Sequence, residues 1–153
     1  MHLAQSVAMT SAYADVAQRD VSSWLLVGCG FWLVALGFYF IAVRPPLLPE
    51  DARFMDTSVS QIRAAVPGLD GWLKKVFTVM GGFIVGTGVL TVCVAWAGVS
   101  SRGTSWALAL AGVLTVGLMS ATNFVLRSDF RWVLLIPAAV WAAALILLVA
   151  RSI

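Results

Sequence analysis

Four long stretches without any ionisable side chain constrain the fold of this chain more than any other feature of its sequence. Asp, Glu, Lys, Arg and His are absent from residues 22–43, 76–98, 105–126 and 132–150. Each stretch provides about the 20 apolar residues that a helix needs to cross the hydrocarbon core of a bilayer. Transmembrane strands are disfavoured, because they alternate apolar and polar residues, whereas these stretches are apolar all round. The sequence therefore predicts an all-α membrane protein with four transmembrane helices.

The composition excludes the common soluble classes of protein. Apolar residues make up 61% of the 153 residues and charged residues only 11%, against about 45–50% and about 25% in soluble domains. The net charge of +3 is explained by basic residues at membrane edges, so we expect no nucleic-acid partner. One histidine, His2, and two cysteines without a CxxC spacing predict neither a metal site nor a cofactor.

The lengths of the connections predict how the chain is organised. Residues 1–21 form a polar N-terminal tail and residues 22–153 a single transmembrane domain. Within that domain, only the loop of residues 44–75 is long. Because short connections force neighbouring helices to run in opposite directions, we predict an antiparallel four-helix bundle. An A-x-A-like motif at residues 12–14 imitates a signal-peptide cleavage site, but the preceding stretch has no basic start, so we expect the tail to be retained.

The basic residues predict the orientation in the membrane. The side that holds the long loop and the turn between the last two spans carries Arg44, Arg53, Arg63, Lys74, Lys75, Arg127 and Arg131. The other side carries Arg19, Arg102 and Arg151. Because cytoplasmic loops have an excess of Lys and Arg, we predict that both termini lie outside the cytoplasm, with the protein in a bacterial inner membrane.

The long loop contains the pattern of an amphipathic helix that begins at Pro49. Its apolar residues recur at helical spacing on one face: Met55, Val59, Ile62 and Val66. Ser58 and Gln61 form a capping-box pattern, at which the helix can break and restart. We interpret the segment either as a cytoplasmic interfacial helix that lies on the membrane or binds a partner, or as a plain connector folded over the end of the bundle.

Small residues line one face of the second span. Gly82 and Gly86 form a GxxxG motif, and Thr78 extends the same face by one turn. Small residues let helix backbones approach closely in lipid and gain van der Waals contact. We interpret this face as a helix-packing surface, either within the bundle or against a second copy or another membrane protein. Replacing either glycine by leucine should then impair packing.

Two polar residues near the end of the third span form a candidate lipid contact. Asn123 and Arg127 are four residues apart and therefore share a helix face. Together they are suited to bind the phosphate or carboxylate of a lipid headgroup. In the alternative interpretation, Asn123 bonds to neighbouring groups and Arg127 extends to the membrane surface.

The two cysteines raise the question of a disulfide. Counted from the helix ends, Cys29 and Cys93 lie at similar depth in neighbouring helices, and Gly28 and Gly30 leave room for the close approach that a disulfide requires. We nevertheless expect both thiols to remain reduced and to pack as small apolar groups, because similar depth does not make two side chains face each other.

The spans lack the residues on which most membrane chemistry depends. Pumps and proton relays need ionisable groups at membrane depth, and nucleophilic catalysis needs a base beside the nucleophile. Neither is available within the four uncharged stretches. We therefore expect a protein that is not an enzyme.

The layout resembles that of the small four-helix DoxX-like membrane proteins. The resemblance depends on a first span, a longer loop and a basic residue that leads into a glycine-rich second span, KVFTVMGGFIVGTG at residues 75–88. It implies the four-helix architecture over residues 22–150. Some members are linked to quinone-coupled sulfur oxidation with a partner subunit, but this chain has no redox motif that would carry such an activity over.

Taken together, these features predict a function in binding. The first hypothesis is a non-enzymatic accessory or scaffold subunit that packs its helices against a partner complex or a second copy. The alternative is a binder of a hydrophobic small molecule, a quinone or a lipid, that serves a redox partner. Membrane lipids are expected contacts in both cases.

Overall fold

The computed structural model describes residues 21–99 and 101–150, and every regular element among them is a helix. Four of these helices are long and apolar enough to cross a membrane: Val21–Val43, Leu69–Ala97, Arg102–Val125 and Arg131–Ala150. We call them the first to fourth spans. The predicted all-α fold, with four helices long and apolar enough to span a membrane, is thereby confirmed. The N-terminal tail, with the exception of Val21, lies outside the described residues, as do His2, Arg19 and Arg151.

The second span begins earlier than its uncharged stretch. Its helix starts at Leu69, after Pro67 and with Gly68 as N-cap, instead of at residue 76. Lys74 and Lys75 therefore lie in the first two turns of the helix and not in the loop of residues 44–75, where the sequence pattern predicts them. Exposed lysines have a good helix propensity, so a charge marks the edge of an apolar stretch and not the end of a helix.

Two of the spans contain a short π-helical segment. The first span is α-helical over Val21–Phe38 and π-helical over Tyr39–Val43. The third span is α-helical over Arg102–Gly112 and Leu118–Val125, with a π-helical segment at Val113–Gly117 between them. Such segments add a residue to a turn and change the direction in which the following side chains point. A periodicity of 3.6 residues does not predict them.

Glycines bring the first and second spans into close contact. Gly30 lies opposite Gly88, and a Cβ atom built on Gly88 would be 2.6 Å from the carbonyl oxygen of Gly30. Gly37 lies opposite Gly81 in the same way, with a corresponding distance of 2.6 Å. No side chain fits at either crossing, so the backbones themselves form the contact. We call these four residues the glycine seam.

The remaining packing is centred on the fourth span. The fourth span packs against both the first and the third span. Trp141 of the fourth span is 1% exposed and lies in the core with Leu26 and Leu33 of the first span. Its indole Nε1 donates a hydrogen bond to the carbonyl oxygen of Leu108 in the third span, at 3.1 Å. The second and third spans do not pack closely against each other, although they are consecutive in the chain.

The long loop forms two short helices instead of one continuous helix. The first loop helix is Pro49–Phe54 and the second is Val59–Ala65. The predicted capping box at the restart is present, since Gln61 N donates to Ser58 Oγ and Ser58 N donates to Gln61 Oε1. The helix breaks at Asp56, whose φ of 52° is left-handed. Asp is among the residues that tolerate this conformation at a helix end.

The break changes the predicted apolar face of the loop. Met55 and Val66 lie just beyond the ends of their helices and are 49% and 50% exposed. Val59 and Ile62 remain on one face of the second loop helix, where they are partly buried. The prediction of a single four-residue face was therefore wrong, because the left-handed turn ends the first helix before the pattern is complete.

Candidate functional site

The small-residue face of the second span points away from the bundle. Thr78, Gly82 and Gly86 are all exposed, and a Cβ atom built on either glycine would have no neighbouring atom within 4 Å. The Thr78 hydroxyl donates to the carbonyl oxygen of Lys74 at 2.8 Å in its own helix. Packing of this face within the bundle, the first of our two interpretations, was wrong. Association of the face with another chain stays a prediction.

A cleft separates the second span from the third. Its volume is about 590 Å³. Its lining is mostly apolar and consists of Thr87, Leu90, Thr91 and Val94 from the second span and Gly103, Thr104, Ala107, Leu108 and Ala111 from the third. The hydroxyls of Thr87 and Thr91 donate to carbonyl oxygens of their own helix, at 2.9 and 2.8 Å. The cleft therefore offers mainly van der Waals contact, which suits an apolar chain or ring.

The first loop helix is attached to the turn between the third and fourth spans. Ser128 Oγ donates to Glu50 Oε1 at 3.1 Å, and these residues are 3% and 5% exposed. Arg53 Nη2 lies 3.1 Å from both carboxylate oxygens of Asp129. These contacts place the loop and the turn at the same end of the molecule. They favour the connector interpretation for the first loop helix.

Arg44, which directly follows the first span, connects the first loop helix to the second span. Its guanidinium lies over the ring of Phe77, 3.7 Å from the centroid, and its Nη2 is 3.9 Å from Asp51 Oδ2. Burial lowers the pKa of the Arg44 guanidinium, and the charge of Asp51 opposes that shift. Asp51 also accepts a hydrogen bond from Leu48 N at 2.8 Å. The aromatic contact and the carboxylate together hold the charge at the edge of the first span.

The two residues of the candidate lipid contact have different surroundings, and their joint binding of a headgroup stays a prediction. Asn123 Nδ2 donates to the carbonyl oxygen of Met119 at 2.9 Å, one turn earlier in its own helix. Arg127 instead lines a groove with Arg53, Phe54, Val125 and Leu126. Asn123 thus follows the alternative interpretation, in which it bonds to a neighbouring group.

The cysteines have different surroundings. Cys29 is buried, and its Sγ lies 3.6 Å from the carbonyl oxygen of Pro137 in the fourth span. Cys93 is exposed on the second span, and both residues are free thiols. Within residues 21–99 and 101–150, no cluster of His, Cys, Asp and Glu is suited to hold a metal ion.

The glycine seam was not identified as a contact from the sequence, although a signal for it exists. Gly30 and Gly37 are seven residues apart, and so are Gly81 and Gly88. Matching seven-residue glycine spacings in two spans joined by one loop identify a face on each helix at which the backbones can meet. The GxxxG motif of the second span alone indicates a different face, which the bundle leaves exposed.

Comparison with known proteins adds no relative, because no family model, no curated protein and no solved structure matches the chain.

Proposed function

We propose that this integral membrane protein is a non-enzymatic accessory or scaffold subunit, which binds a helix of a partner membrane protein or of a second copy. The observation that carries the proposal is the uncovered face of Thr78, Gly82 and Gly86. The bundle uses a different set of glycines for its own packing, so this face is free to receive another helix.

The energetics of glycine in a helix support this proposal. A glycine costs roughly 0.5–1 kcal/mol relative to alanine in the middle of a helix. For Gly81 and Gly88, close contact with the first span offsets that cost. For Gly82 and Gly86, the bundle provides no offsetting contact. Close approach of a helix from outside the chain would provide it.

We further propose that the four spans form an antiparallel bundle, with the long loop in the cytoplasm and both termini outside, in a bacterial inner membrane. The order of the glycine contacts supports the antiparallel arrangement of the first two spans, since Gly30 meets Gly88 and Gly37 meets Gly81. Contacts between the long loop and the turn at residues 127–130 support a common side for these two segments and for the basic helix ends beside them. This is the side that the positive-inside rule assigns to the cytoplasm.

Cysteine labelling tests the orientation. In a variant without Cys29 and Cys93, cysteines introduced at the exposed positions Ser60 and Ser101 should behave oppositely toward a membrane-impermeant maleimide. We expect intact cells to label the cysteine at 101, and labelling of the cysteine at 60 only after the membrane is opened. The reverse pattern would mean that the protein is inserted with the opposite orientation.

Assembly in mild detergent tests the scaffold function. We expect the purified wild-type protein to migrate as a larger complex, with a second copy or with a stoichiometric partner. The double variant Gly82→Leu/Gly86→Leu should lose this complex, because two bulky side chains keep the helices apart. Light scattering and quantitative mass spectrometry of the purified material measure the loss.

A matched variant controls for bulk added at the membrane-facing surface. Ala143→Leu enlarges an exposed small residue of the fourth span and should leave the complex intact. Circular dichroism should show all variants folded, since neither Gly82 nor Gly86 has a neighbour for a new side chain to displace. Full assembly of the double variant would remove the scaffold proposal.

The cleft between the second and third spans favours a second candidate function, the binding of a hydrophobic small molecule such as a quinone or a lipid. Its volume of about 590 Å³ lies in the range of small-molecule sites, and its mostly apolar lining is typical of them. The resemblance to DoxX-like proteins suggests a redox partner for such a ligand. Organic extraction of the same purified protein distinguishes the candidates, because a stoichiometric quinone in a protein without a partner would favour this one.

A further inference from the structure

An amphipathic groove lies where the first loop helix meets the end of the third span. It is lined by Arg53, Phe54, Val125, Leu126 and Arg127 and has a volume of about 460 Å³. Phe54 and Val125 are 60% and 70% exposed, so apolar surface and two guanidinium groups share the groove. The third span ends at Val125. In a bilayer, the groove would therefore lie at the interface between the acyl chains and the headgroups.

Arg127 is the cation of this groove that is available to a ligand. Other arginines at this end of the molecule have partners. Three of them form ion pairs, Arg44 with Asp51, Arg53 with Asp129 and Arg63 with Asp70, and Arg131 donates to the carbonyl oxygen of Ser128 at 3.5 Å. Within the part of the chain that the structure describes, the Arg127 guanidinium has no hydrogen-bond or ion-pair partner. Because Arg53 is 58% exposed in its ion pair, it can add a second donor to a ligand bound at Arg127.

The backbone holds Arg127 in a position that usually belongs to glycine. Its φ is 51°, and it directly follows the C-cap of the third span, Leu126. Arg127 N donates to the carbonyl oxygen of Phe124 at 3.1 Å, and Ser128 N donates to that of Asn123 at 3.0 Å. These are the two hydrogen bonds of a Schellman motif, in which glycine is favoured at the left-handed residue. The turn itself therefore gives no reason for a long cationic side chain here.

We propose that this groove binds an anionic phospholipid, with the phosphate at Arg127, Arg53 as a second donor, and an acyl chain against Phe54 and Val125. A guanidinium matches the geometry of phosphate oxygens and binds them through charge-assisted hydrogen bonds. The uncovered apolar side chains favour a lipid over free phosphate as the source of that group. The proposal is independent of the scaffold function, because the groove and the small-residue face belong to different elements.

Replacement of Arg127 by glycine tests the site without endangering the fold. The variant removes the guanidinium and gives the left-handed turn its preferred residue, so its thermal midpoint without added lipid should equal or exceed that of the wild type. Native mass spectrometry of the full chain, with phosphatidylglycerol or phosphatidylcholine added, measures lipid retention. We expect the wild type to prefer phosphatidylglycerol, and Arg127→Gly to retain about tenfold less of it.

Matched controls decide whether the groove or the overall positive charge of the protein causes the retention of phosphatidylglycerol. Arg127→Gln and Arg102→Gln remove one positive charge each, but residue 102 lies at the opposite end of the third span. Loss of phosphatidylglycerol from Arg127→Gln alone supports the site. Equal loss from both variants, equal retention of phosphatidylcholine by the wild type, or displacement of the lipid by millimolar inorganic phosphate would each overturn the proposal.

Discussion

Replacing Gly88 by leucine is expected to separate the first and second spans and to lower the free energy of unfolding by about 3 kcal/mol or more, at the upper end of the cost of overpacking. The clash is with backbone, because even the first side-chain atom would lie 2.6 Å from the carbonyl oxygen of Gly30. A rotamer change does not relieve it, so the helices must move apart. Thermal or denaturant unfolding in detergent, followed by circular dichroism, measures the effect.

Alanine substitutions make this prediction sharper, because they should have opposite signs at neighbouring positions. Gly86→Ala should leave stability unchanged or raise it by about 0.5–1 kcal/mol, through the better helix propensity of alanine. Gly88→Ala should lower stability despite the same gain in propensity, because its Cβ atom lies in the glycine seam. Equal effects at residues 86 and 88 would mean that the seam does not hold the two spans together.

Truncation of Trp141 to alanine is expected to produce the second large loss, about 3–5 kcal/mol. The side chain is 1% exposed and fills the region where the first, third and fourth spans meet. Gly112 leaves the space that the indole occupies, since a Cβ atom there would overlap the ring. Alanine would leave a cavity at this junction, which unfolding in detergent detects as a lowered midpoint.

Two further variants separate packing from hydrogen bonding at this junction. Trp141→Phe keeps most of the aromatic volume but removes the donor to Leu108 O. It should therefore destabilise the protein, but by at least about 1 kcal/mol less than Trp141→Ala does. Gly112→Ala disturbs the same contact from the third span and should also destabilise. A Trp141→Ala variant as stable as the wild type would contradict this description of the core.

The parts of the fold that depend on local sequence were predictable. Uncharged stretches of sufficient length identified the four spans, because the cost of burying charge in hydrocarbon acts on each stretch separately. The restart of the loop at Ser58 also followed from neighbouring residues, since its cap needs only Gln61 three positions later. The start of the second span was missed because Lys74 and Lys75 are compatible with a helix as well as with a loop.

The choice of packing face could not be made from the second span alone. Gly81 and Gly82 are adjacent, and a step of one residue turns a helix by about 100°, so two different faces of this span offer small residues. The choice depends on the first span, where Gly30 and Gly37 repeat the seven-residue spacing of only one of those faces. Contacts such as Ser128–Glu50 were out of reach for the same reason, because they join residues 78 positions apart.

The order in which the spans contact one another has a consequence for how the protein is made. The glycine seam joins two helices that are neighbours in the chain, so this hairpin can close in the membrane while the ribosome is still adding the third span. The third span packs closely against the fourth. Gly112 can therefore contact the ring of Trp141 only after the fourth span has been inserted. Biogenesis should therefore proceed through a stable two-helix intermediate, and the interval between the third and fourth insertions is when membrane chaperones and quality-control proteases have the best access to the chain.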